Sequence, residues 1–311
     1  MIISASRRTD IPNYYAEWFI NRLREGYVFV RNPFNPQQIQ KIELTAEVVD
    51  GIVFWTKNPE PMLSYLPALS AFPYYFQYTL NAYESDIEPA ALPSLQRRLE
   101  TFRKLSETIG HKRVIWRYDP IFLTEKYTEK WHVETFEKLA VVLKAFTSAC
   151  VFSFIDLYDT KRAVFSRNGI RIPTREEQLR IAEQLAKIAH RNNIRLNTCS
   201  ESIDLSAFGI GHAKCIDEQL LSDISGVALE AKPDRNQRNL CGCVESIDIG
   251  AYNTCPNHCL YCYANYNAST ITDNRRRYDV ASPLCCDVVR LEDTISIRTV
   301  TSLKVHQLKL F

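Results

Sequence analysis

Three cysteines near the end of the chain have a spacing that suits metal chemistry. Cys255, Cys259 and Cys262 form a C-x3-C-x2-C pattern within YNTCPNHCLYCYANYN, residues 252–267. Chance placement of the chain's cysteines would give this spacing with a probability on the order of one per cent. Three thiolates can hold three irons of a 4Fe–4S cluster and leave the fourth iron open. Zinc is the alternative, with His258 or a distant cysteine as a fourth ligand.

Four further cysteines precede this pattern and form a candidate for a second metal site. Four thiolates match a closed iron–sulfur cluster or a structural zinc ion. The alternative is that some of them are small buried hydrophobic residues, as free cysteines often are. This second set consists of Cys199, Cys215, Cys241 and Cys243. We expect Cys150, Cys285 and Cys286 to be structural.

Composition indicates a reducing compartment. The stretch MIISASRRTDIP at residues 1–12 lacks the pattern of a signal peptide, and no apolar run reaches the length of a membrane span. We therefore expect a cytoplasmic protein with no membrane association. Thiols stay reduced in the cytoplasm, so ten cysteines indicate metal binding or catalysis rather than disulfides.

Apolar runs that read as buried strands alternate with stretches of helical period. The runs lie at residues 2–6, 51–56, 74–80, 113–118, 150–158 and 194–198. This alternation predicts an α/β fold with a parallel sheet, either doubly wound or a barrel. Polar residues follow the strands, which is typical of the active face of a barrel. The predicted organisation is a (β/α) barrel over residues 1–198 and a cysteine-rich iron–sulfur segment, residues 199–311, packed on the barrel mouth.

Several motifs carry a resemblance to known enzymes. The cysteine pattern with Tyr261 before its last cysteine resembles the signature of the radical S-adenosylmethionine superfamily. IVFWTKNP (52–59), SRRTDIP (6–12) and RVIWRYDPI (113–121) are similar to strands of the branch that contains spore photoproduct lyase. As a whole, the chain resembles the bacterial family known as domain of unknown function 1848.

The resemblance implies a partial (β/α) barrel of the radical S-adenosylmethionine type, one that does not close a full circle, and a pair of cofactors. The unique iron of a 4Fe–4S cluster would be chelated by S-adenosylmethionine, and reduction by a flavodoxin or ferredoxin-type donor would generate a 5′-deoxyadenosyl radical. The substrate class stays open between nucleic acid, peptide and small molecule. A net charge of +2 does not favour a duplex-binding surface. The alternative function is a zinc-stabilised barrel acting as a hydrolase or a nucleic-acid-binding module.

The resemblance also implies residues that bind S-adenosylmethionine. Tyr261 is expected to lie against the adenine. The methionyl amine and the ribose are expected at the ends of two strands, where the candidates are Ser6, Arg7, Asp10, Thr79 and Asn81.

Three arginines have two interpretations each. Arg117 lies in the apolar run VIWRY and would bind either the carboxylate of S-adenosylmethionine or a structural partner, Asp119 or Asp156. Arg7 and Arg8 would clamp a phosphate or carboxylate of the substrate, or form an ion pair with Asp10.

The order of the motifs departs from that of the superfamily, in which the cysteine loop follows the first barrel strand. Here the loop follows every recognised strand. If VESIDIGAY (244–252) is the strand that carries the loop, the barrel is circularly permuted, which nearby chain termini permit. The alternative is an appended loop over the barrel mouth. The two predict different strand neighbours for residues 244–252.

Overall fold

A computed structural model describes residues 1–88, 91–238 and 240–305. Within these residues the strands are β1 Ile2–Ala5, β2 Tyr27–Arg31, β3 Gln38–Glu43, β4 Gly51–Thr56, β5 Tyr74–Thr79, β6 Val114–Ile121, β7 Ala149–Phe154, β8 Arg195–Thr198, β9 Gly211–His212, β10 Ile247–Asp248 and β11 Thr294–Ile297. The α-helices are α1 Ile11–Tyr14, α2 Ala16–Glu25, α3 Leu95–Ile109, α4 Glu129–Leu143, α5 Arg162–Arg167, α6 Arg175–Arg191, α7 Glu218–Ser225 and α8 Ala268–Arg276. A 3₁₀ helix spans Glu60–Leu69.

Eight strands form one sheet in the order β10-β1-β4-β5-β6-β7-β8-β9, and every neighbouring pair is parallel. The prediction of an α/β fold with a large parallel sheet is therefore confirmed. Among the described residues, β9 and β10 do not pair with each other, so they are the two edges of the sheet. Both edge strands come from the segment after residue 198.

Local sequence signals explain the boundaries of the long helices. The side chains of Ser94 and Thr128 accept a backbone N–H at the starts of α3 and α4. Thr174 and Glu177 form a capping box at the start of α6. Gly26 ends α2 with a φ of 75°, a left-handed conformation that glycine adopts without steric cost.

The sheet is buried on both faces, which is why its strands are continuous apolar runs. In β4, Ile52 and Phe54 belong to the main core beneath the helices, whereas Val53 belongs to a second core on the opposite face. The second core also contains Cys215 and Leu221, so the segment that includes α7 covers this face.

The strand that carries the cysteine loop lies beside the first strand of the chain. In β10, Ile247 is opposite Ile3 and Asp248 is opposite Ser4, in a parallel pairing. The regular part of VESIDIGAY is short, because only Ile247–Asp248 form the strand. Because these strands are parallel, the loop after β10 begins beside the carboxyl ends of β1 and β4.

A second, small sheet was not expected from the sequence. It has the order β11-β3-β2, with β2 and β3 antiparallel and β11 parallel to β3. Among the described residues, no helix is both long enough and apolar enough to span a membrane.

Candidate metal centre

The three cysteines of the C-x3-C-x2-C pattern, hereafter the triad, lie in the loop between β10 and α8. Cys255 and Cys259 are buried and Cys262 is half-buried. Two asparagines brace the loop across its ends. The side-chain oxygen of Asn253 accepts the backbone N–H groups of Tyr266 and Asn267, just before α8, and Asn265 donates to the carbonyl oxygen of Cys255. His258 is exposed.

Asp248 fastens the base of this loop to the end of β1. Its carboxylate accepts the hydroxyl of Ser4 at 2.9 Å, the hydroxyl of Ser6 and the backbone N–H of Arg7 at 2.8 Å. The backbone N–H of Gly250 donates to the same carboxylate. The predicted ligand-binding residue Ser6 thus has a partner in the protein itself.

Asp10, between β1 and α1, is held in place by hydrogen bonds to the backbone. It is buried, and its carboxylate accepts the backbone N–H of Asn13 at 3.1 Å and of Lys57 at 2.8 Å. Burial raises the pKa of Asp10 to about 6. The alternative of an ion pair between Asp10 and Arg7 or Arg8 is wrong for the described structure, because the carboxylate near Arg8 is that of Asp248, at 4.0 Å.

A cleft of about 520 Å³ opens beside the triad. All three triad cysteines line it, and no other cysteine of the described residues does. The remaining lining residues are Arg7, Arg8, Thr9, Asp10, Trp55, Thr56, Lys57, Thr79, Asn257, Tyr261, Ala264 and Asn265. Four predicted residues, Arg7, Asp10, Thr79 and Tyr261, are thus brought to the cleft.

Buried polar atoms without a partner are concentrated in this cleft. The described residues contain eight such side-chain atoms. Four of them belong to residues that line the cleft: Arg7 Nη2, Thr9 Oγ1, Trp55 Nε1 and Asn265 Oδ1. Since an unpaired buried polar atom is costly, this concentration indicates a polar ligand.

Tyr261 takes part in a network of charged groups at the cleft. Its hydroxyl donates to the carboxylate of Glu88, which also receives Lys57 Nζ at 2.6 Å. Burial opposes the ionisation of Glu88, but the charges of Lys57 and Arg98 outweigh it and lower the pKa. The Lys57 ammonium lies 5.3 Å from the centre of the Tyr261 ring.

A second ammonium group lies near the triad. Lys161 is buried, and its Nζ donates to the carbonyl oxygen of Asn265 at 2.8 Å. Burial lowers the pKa of Lys161, and the nearby thiols of Cys262 and Cys259 oppose that shift. In the described part of the chain Lys161 has no carboxylate partner. A buried cation without a counter-charge indicates that an anion belongs here.

The donor set of the triad fits an iron–sulfur group. Burial raises the pKa of all three thiols, that of Cys259 to about 12. The thiolate forms that bind metal are therefore stable here only when a cationic centre compensates their charge. Among the described residues, no three His, Cys, Asp or Glu side chains converge on a point suited to a single ion. A cluster requires no such convergence, because each thiolate binds its own iron.

Three predicted ligand-binding residues lie outside the cleft lining: Ser6, whose partner is Asp248, and also Asn81 and Arg117. Asn81 is buried, and its amide donates to the carbonyl oxygen of Asp119 at 2.7 Å. Arg117 forms an ion pair with Asp119, as one of its two interpretations predicted, and its Nη1 donates to Cys215 Sγ at 3.1 Å. Asp156 instead pairs with Arg238. Arg117 thus adjoins the second cysteine set.

The structure also places residues at the site that the sequence did not single out. Trp55 and Lys57 line the cleft, Lys161 lies beside the thiols and Asp248 holds the loop in place. TKNP, residues 56–59, contained a signal for Lys57, because polar residues after a strand mark the active face. For Lys161 the sequence offers no such signal, since the chain brings it to the triad only through the fold.

The fold and the site together define an α/β protein whose parallel sheet carries a cysteine loop at the carboxyl ends of its strands. The chain belongs to the family described as Domain of unknown function (DUF1848), whose model matches residues 2–264. The match includes the triad and the second cysteine set, and it stops before α8. Among curated proteins, none matches the chain.

Proposed function

We propose that this protein is a radical S-adenosylmethionine enzyme. Cys255, Cys259 and Cys262 would hold a 4Fe–4S cluster, with S-adenosylmethionine on the fourth iron. When bound and reduced, the cluster supplies the electron that converts S-adenosylmethionine to methionine and a 5′-deoxyadenosyl radical, which abstracts hydrogen from a substrate.

The observation that carries the proposal is the composition of the cleft. Three thiols and four unpaired buried polar atoms line one cavity, in which the described residues supply no fourth cysteine. Three protein ligands leave one iron of a four-iron cluster free for a cofactor. Thr9 Oγ1 and Asn265 Oδ1 are the groups suited to bind the polar parts of that cofactor.

The strand order supports a permuted relation to the superfamily. The superfamily carries its cysteine loop after the first strand of the barrel. Here β10 carries the loop and lies at the start of the sheet, parallel to β1. An appended loop would not require β10 to pair within the sheet, so the pairing favours circular permutation.

The charged groups of the cleft have defined tasks under this proposal. Lys57 and Lys161 would offset the negative charge of the thiolates, and their burial strengthens that interaction. Glu88 holds Lys57 and Tyr261 in place through its two hydrogen bonds. Tyr261 would then present its ring to the adenine, as the resemblance implies. The proposal includes a flavodoxin or ferredoxin-type electron donor.

Release of 5′-deoxyadenosine tests the proposal without knowledge of the substrate. Protein purified without oxygen and reduced with dithionite should be brown and should convert S-adenosylmethionine to 5′-deoxyadenosine, measured by liquid chromatography with mass spectrometry. Cys259→Ala should reduce the release to background. Cys150→Ala is the matched control, because Cys150 is buried in the main core and should leave the release unchanged.

Two outcomes would contradict the proposal. One is release that persists in Cys259→Ala. The other is a colourless protein with stoichiometric zinc at the triad, which would favour the alternative of a zinc-stabilised barrel.

A further inference from the structure

The second cysteine set comes together from three separate parts of the chain. Cys199 follows β8, Cys215 follows β9, and Cys241 and Cys243 lie in the segment that leads to β10. The Sγ atoms of Cys215 and Cys199 are 3.6 Å apart. Cys215 and Cys243 belong to the second core, and Cys199 and Cys241 pack against the same core, so all four thiols lie in one part of the structure. This group is hereafter the thiol quartet.

Two buried guanidinium groups adjoin the thiol quartet. Arg117 donates to Cys215 Sγ at 3.1 Å, and Cys243 and Cys215 are close enough to Arg7 to act on its charge. Both guanidinium groups lie over the ring of Trp55, Arg117 at 5.2 Å and Arg7 at 5.5 Å from its centre. Cation–π contacts stabilise them only in part.

The positive charge at this place exceeds the negative charge that the described residues supply. Arg117 is compensated by Asp119, but Arg7 forms no ion pair in the part of the chain that the structure describes. Arg7 Nη2 is buried and has no hydrogen-bond partner. A buried cation left unpaired is costly, so an anionic group next to Arg7 would complete the site.

The four cysteines of the quartet are not placed as ordinary buried apolar residues are. Cys150 shows that role, since it lies within the main core. The quartet instead lies beside charged groups, because Arg117 donates to Cys215 Sγ. With neutral thiols, the charge of Arg7 would be opposed only by Asp248, which also pairs with Arg8, whereas thiolates bound to a metal would add to that opposing charge.

We propose that Cys199, Cys215, Cys241 and Cys243 bind a second metal centre that is closed by four thiolates, with Arg117 and Arg7 as its compensating charges. Four thiolates with one zinc ion, or with a 4Fe–4S core, carry roughly two negative charges in either case. The shared chemistry is thus an anionic tetrathiolate centre. The four thiols do not converge on one point suited to a single ion, which favours the four-iron core, because each thiolate there binds its own iron.

The location gives this centre a defined relation to the cleft. Trp55 lines the cleft together with the triad, and its ring also contacts Arg117, which binds Cys215. A metal at the quartet would therefore fix the wall of the cleft through Arg117 and Trp55. With four protein ligands it would have no open position for substrate, so its task would be structural or electron transfer. The inference does not depend on the proposed chemistry of the triad.

Metal analysis of a protein without the triad is the direct test. The full-length variant Cys255→Ser/Cys259→Ser/Cys262→Ser is expressed with iron and zinc in the medium and purified without oxygen. It should retain about four irons with sulfide, or about one zinc, per chain. Adding Cys243→Ser should remove that metal, whereas adding Cys150→Ala should not. The metal that is retained identifies which tetrathiolate centre is present.

A folded triad variant without metal would overturn the inference, as would metal that survives Cys243→Ser. If the triad variant does not fold, Cys243→Ser in the otherwise unaltered protein replaces it. Relative to the unaltered protein, this variant should lose about four irons, or about one zinc, per chain. Equal metal content of the two proteins would overturn the inference, whatever the triad binds. Loss of 5′-deoxyadenosine release alone would not, because it concerns the triad.

Discussion

The triad and the thiol quartet lie at the same end of the sheet but are built in different ways. The triad occupies eight residues of a single loop, and its position depends on how β10 docks on β1. The quartet joins residues 44 positions apart in sequence, and it depends on the pairing of β8 with β9. The triad faces a cleft, whereas Cys215 and Cys243 lie in a core.

This difference separates two kinds of metal site. Adjacent thiolates in one loop can leave a coordination position open towards a cleft, as a cofactor requires. Thiolates that come from several chain segments surround the metal and tie those segments together, as structural zinc sites do. Changes at β10 should therefore affect the triad first, and changes elsewhere in the sheet should leave its metal in place.

The largest effect is expected from Gly250→Ala. The added Cβ would lie 2.2 Å from Ser6 Oγ and 2.6 Å from Ser6 Cβ, so the loop would have to move away from β1. We expect a loss of about 3 kcal/mol in the free energy of unfolding, the upper range for overpacking. Urea denaturation and iron analysis measure it. The triad should lose metal while the quartet keeps its own.

The matched control is Gly211→Ala on β9, where the added Cβ would lie 3.6 Å from Asn197 Oδ1, an ordinary contact. Equal stability of the Gly250→Ala and Gly211→Ala variants would refute the tight docking of the loop.

Stability should also respond to pH through His132, which the rings of Tyr83 and Phe122 separate from Tyr261 in the triad loop. Burial lowers the pKa of His132 to about 4, and its ring contacts Tyr118 Oη at 3.0 Å and the carbonyl oxygen of Phe122 at 2.8 Å.

The unfolded state carries more protons on His132 than the folded state between pH 6.5 and pH 4, so the contribution of His132 to stability falls as pH decreases below about 6.5. We expect this contribution to fall by about 2 kcal/mol between pH 7 and pH 5. Asp10 and Glu201, whose pKa values burial raises to about 6 and about 7, act in the opposite direction.

Urea denaturation of the unaltered protein and of His132→Gln across this pH range isolates the contribution, because the stability of the unaltered protein relative to the variant should fall by about 2 kcal/mol from pH 7 to pH 5. Iron content should not change over the same range in the folded protein. An identical change of stability with pH in the variant would show that another group is responsible.

Asp248→Asn should weaken the same docking as Gly250→Ala but to a smaller extent. The amide retains one oxygen acceptor, while the donors from Ser4, Ser6 and Arg7 compete for it. We expect a loss of about 1 to 2 kcal/mol and partial loss of triad iron. Calorimetry and iron analysis measure the two effects. Asp273→Asn on the exposed face of α8 is the control, and equal effects of the two substitutions would contradict this assignment.

The smallest effect is expected from Lys161→Met, which removes one ammonium group near Cys262 and its hydrogen bond to the carbonyl oxygen of Asn265. The triad cluster should lose iron to a chelator about fivefold faster, corresponding to roughly 1 kcal/mol. Absorbance of the cluster follows the loss over time. Lys187→Met on α6, whose ammonium pairs with Glu183, should leave the rate unchanged. A rate unaffected by Lys161→Met would mean that this ammonium group does not compensate the cluster.

The sequence predicted the part of the molecule that depends on local patterns. The continuous apolar runs at 51–56 and 74–80 became β4 and β5, because a parallel strand buried on both faces leaves such a run. The short, half-exposed β3 has no such run, and β11 is fully exposed, so the small sheet was missed.

For the site as well, the sequence predicted the residues that are close together in the chain and not those that only the fold brings together. Spacing alone pointed to the triad, whose cysteines are close in the chain. The contact of Arg117 with Cys215 spans 98 residues, and it exists only because β6 lies inside the sheet while the chain after β9 covers one face. The place of Lys161 beside the triad likewise depends on the loop after β7. No local pattern contains such information.

Electron paramagnetic resonance of the reduced protein, recorded with and without S-adenosylmethionine, tests the central claim most directly. A three-cysteine cluster with an open iron should show a signal of reduced 4Fe–4S type that changes when S-adenosylmethionine is added, and Cys259→Ala should abolish that change. A signal that is the same with and without S-adenosylmethionine, or a protein without any such signal, would contradict the account.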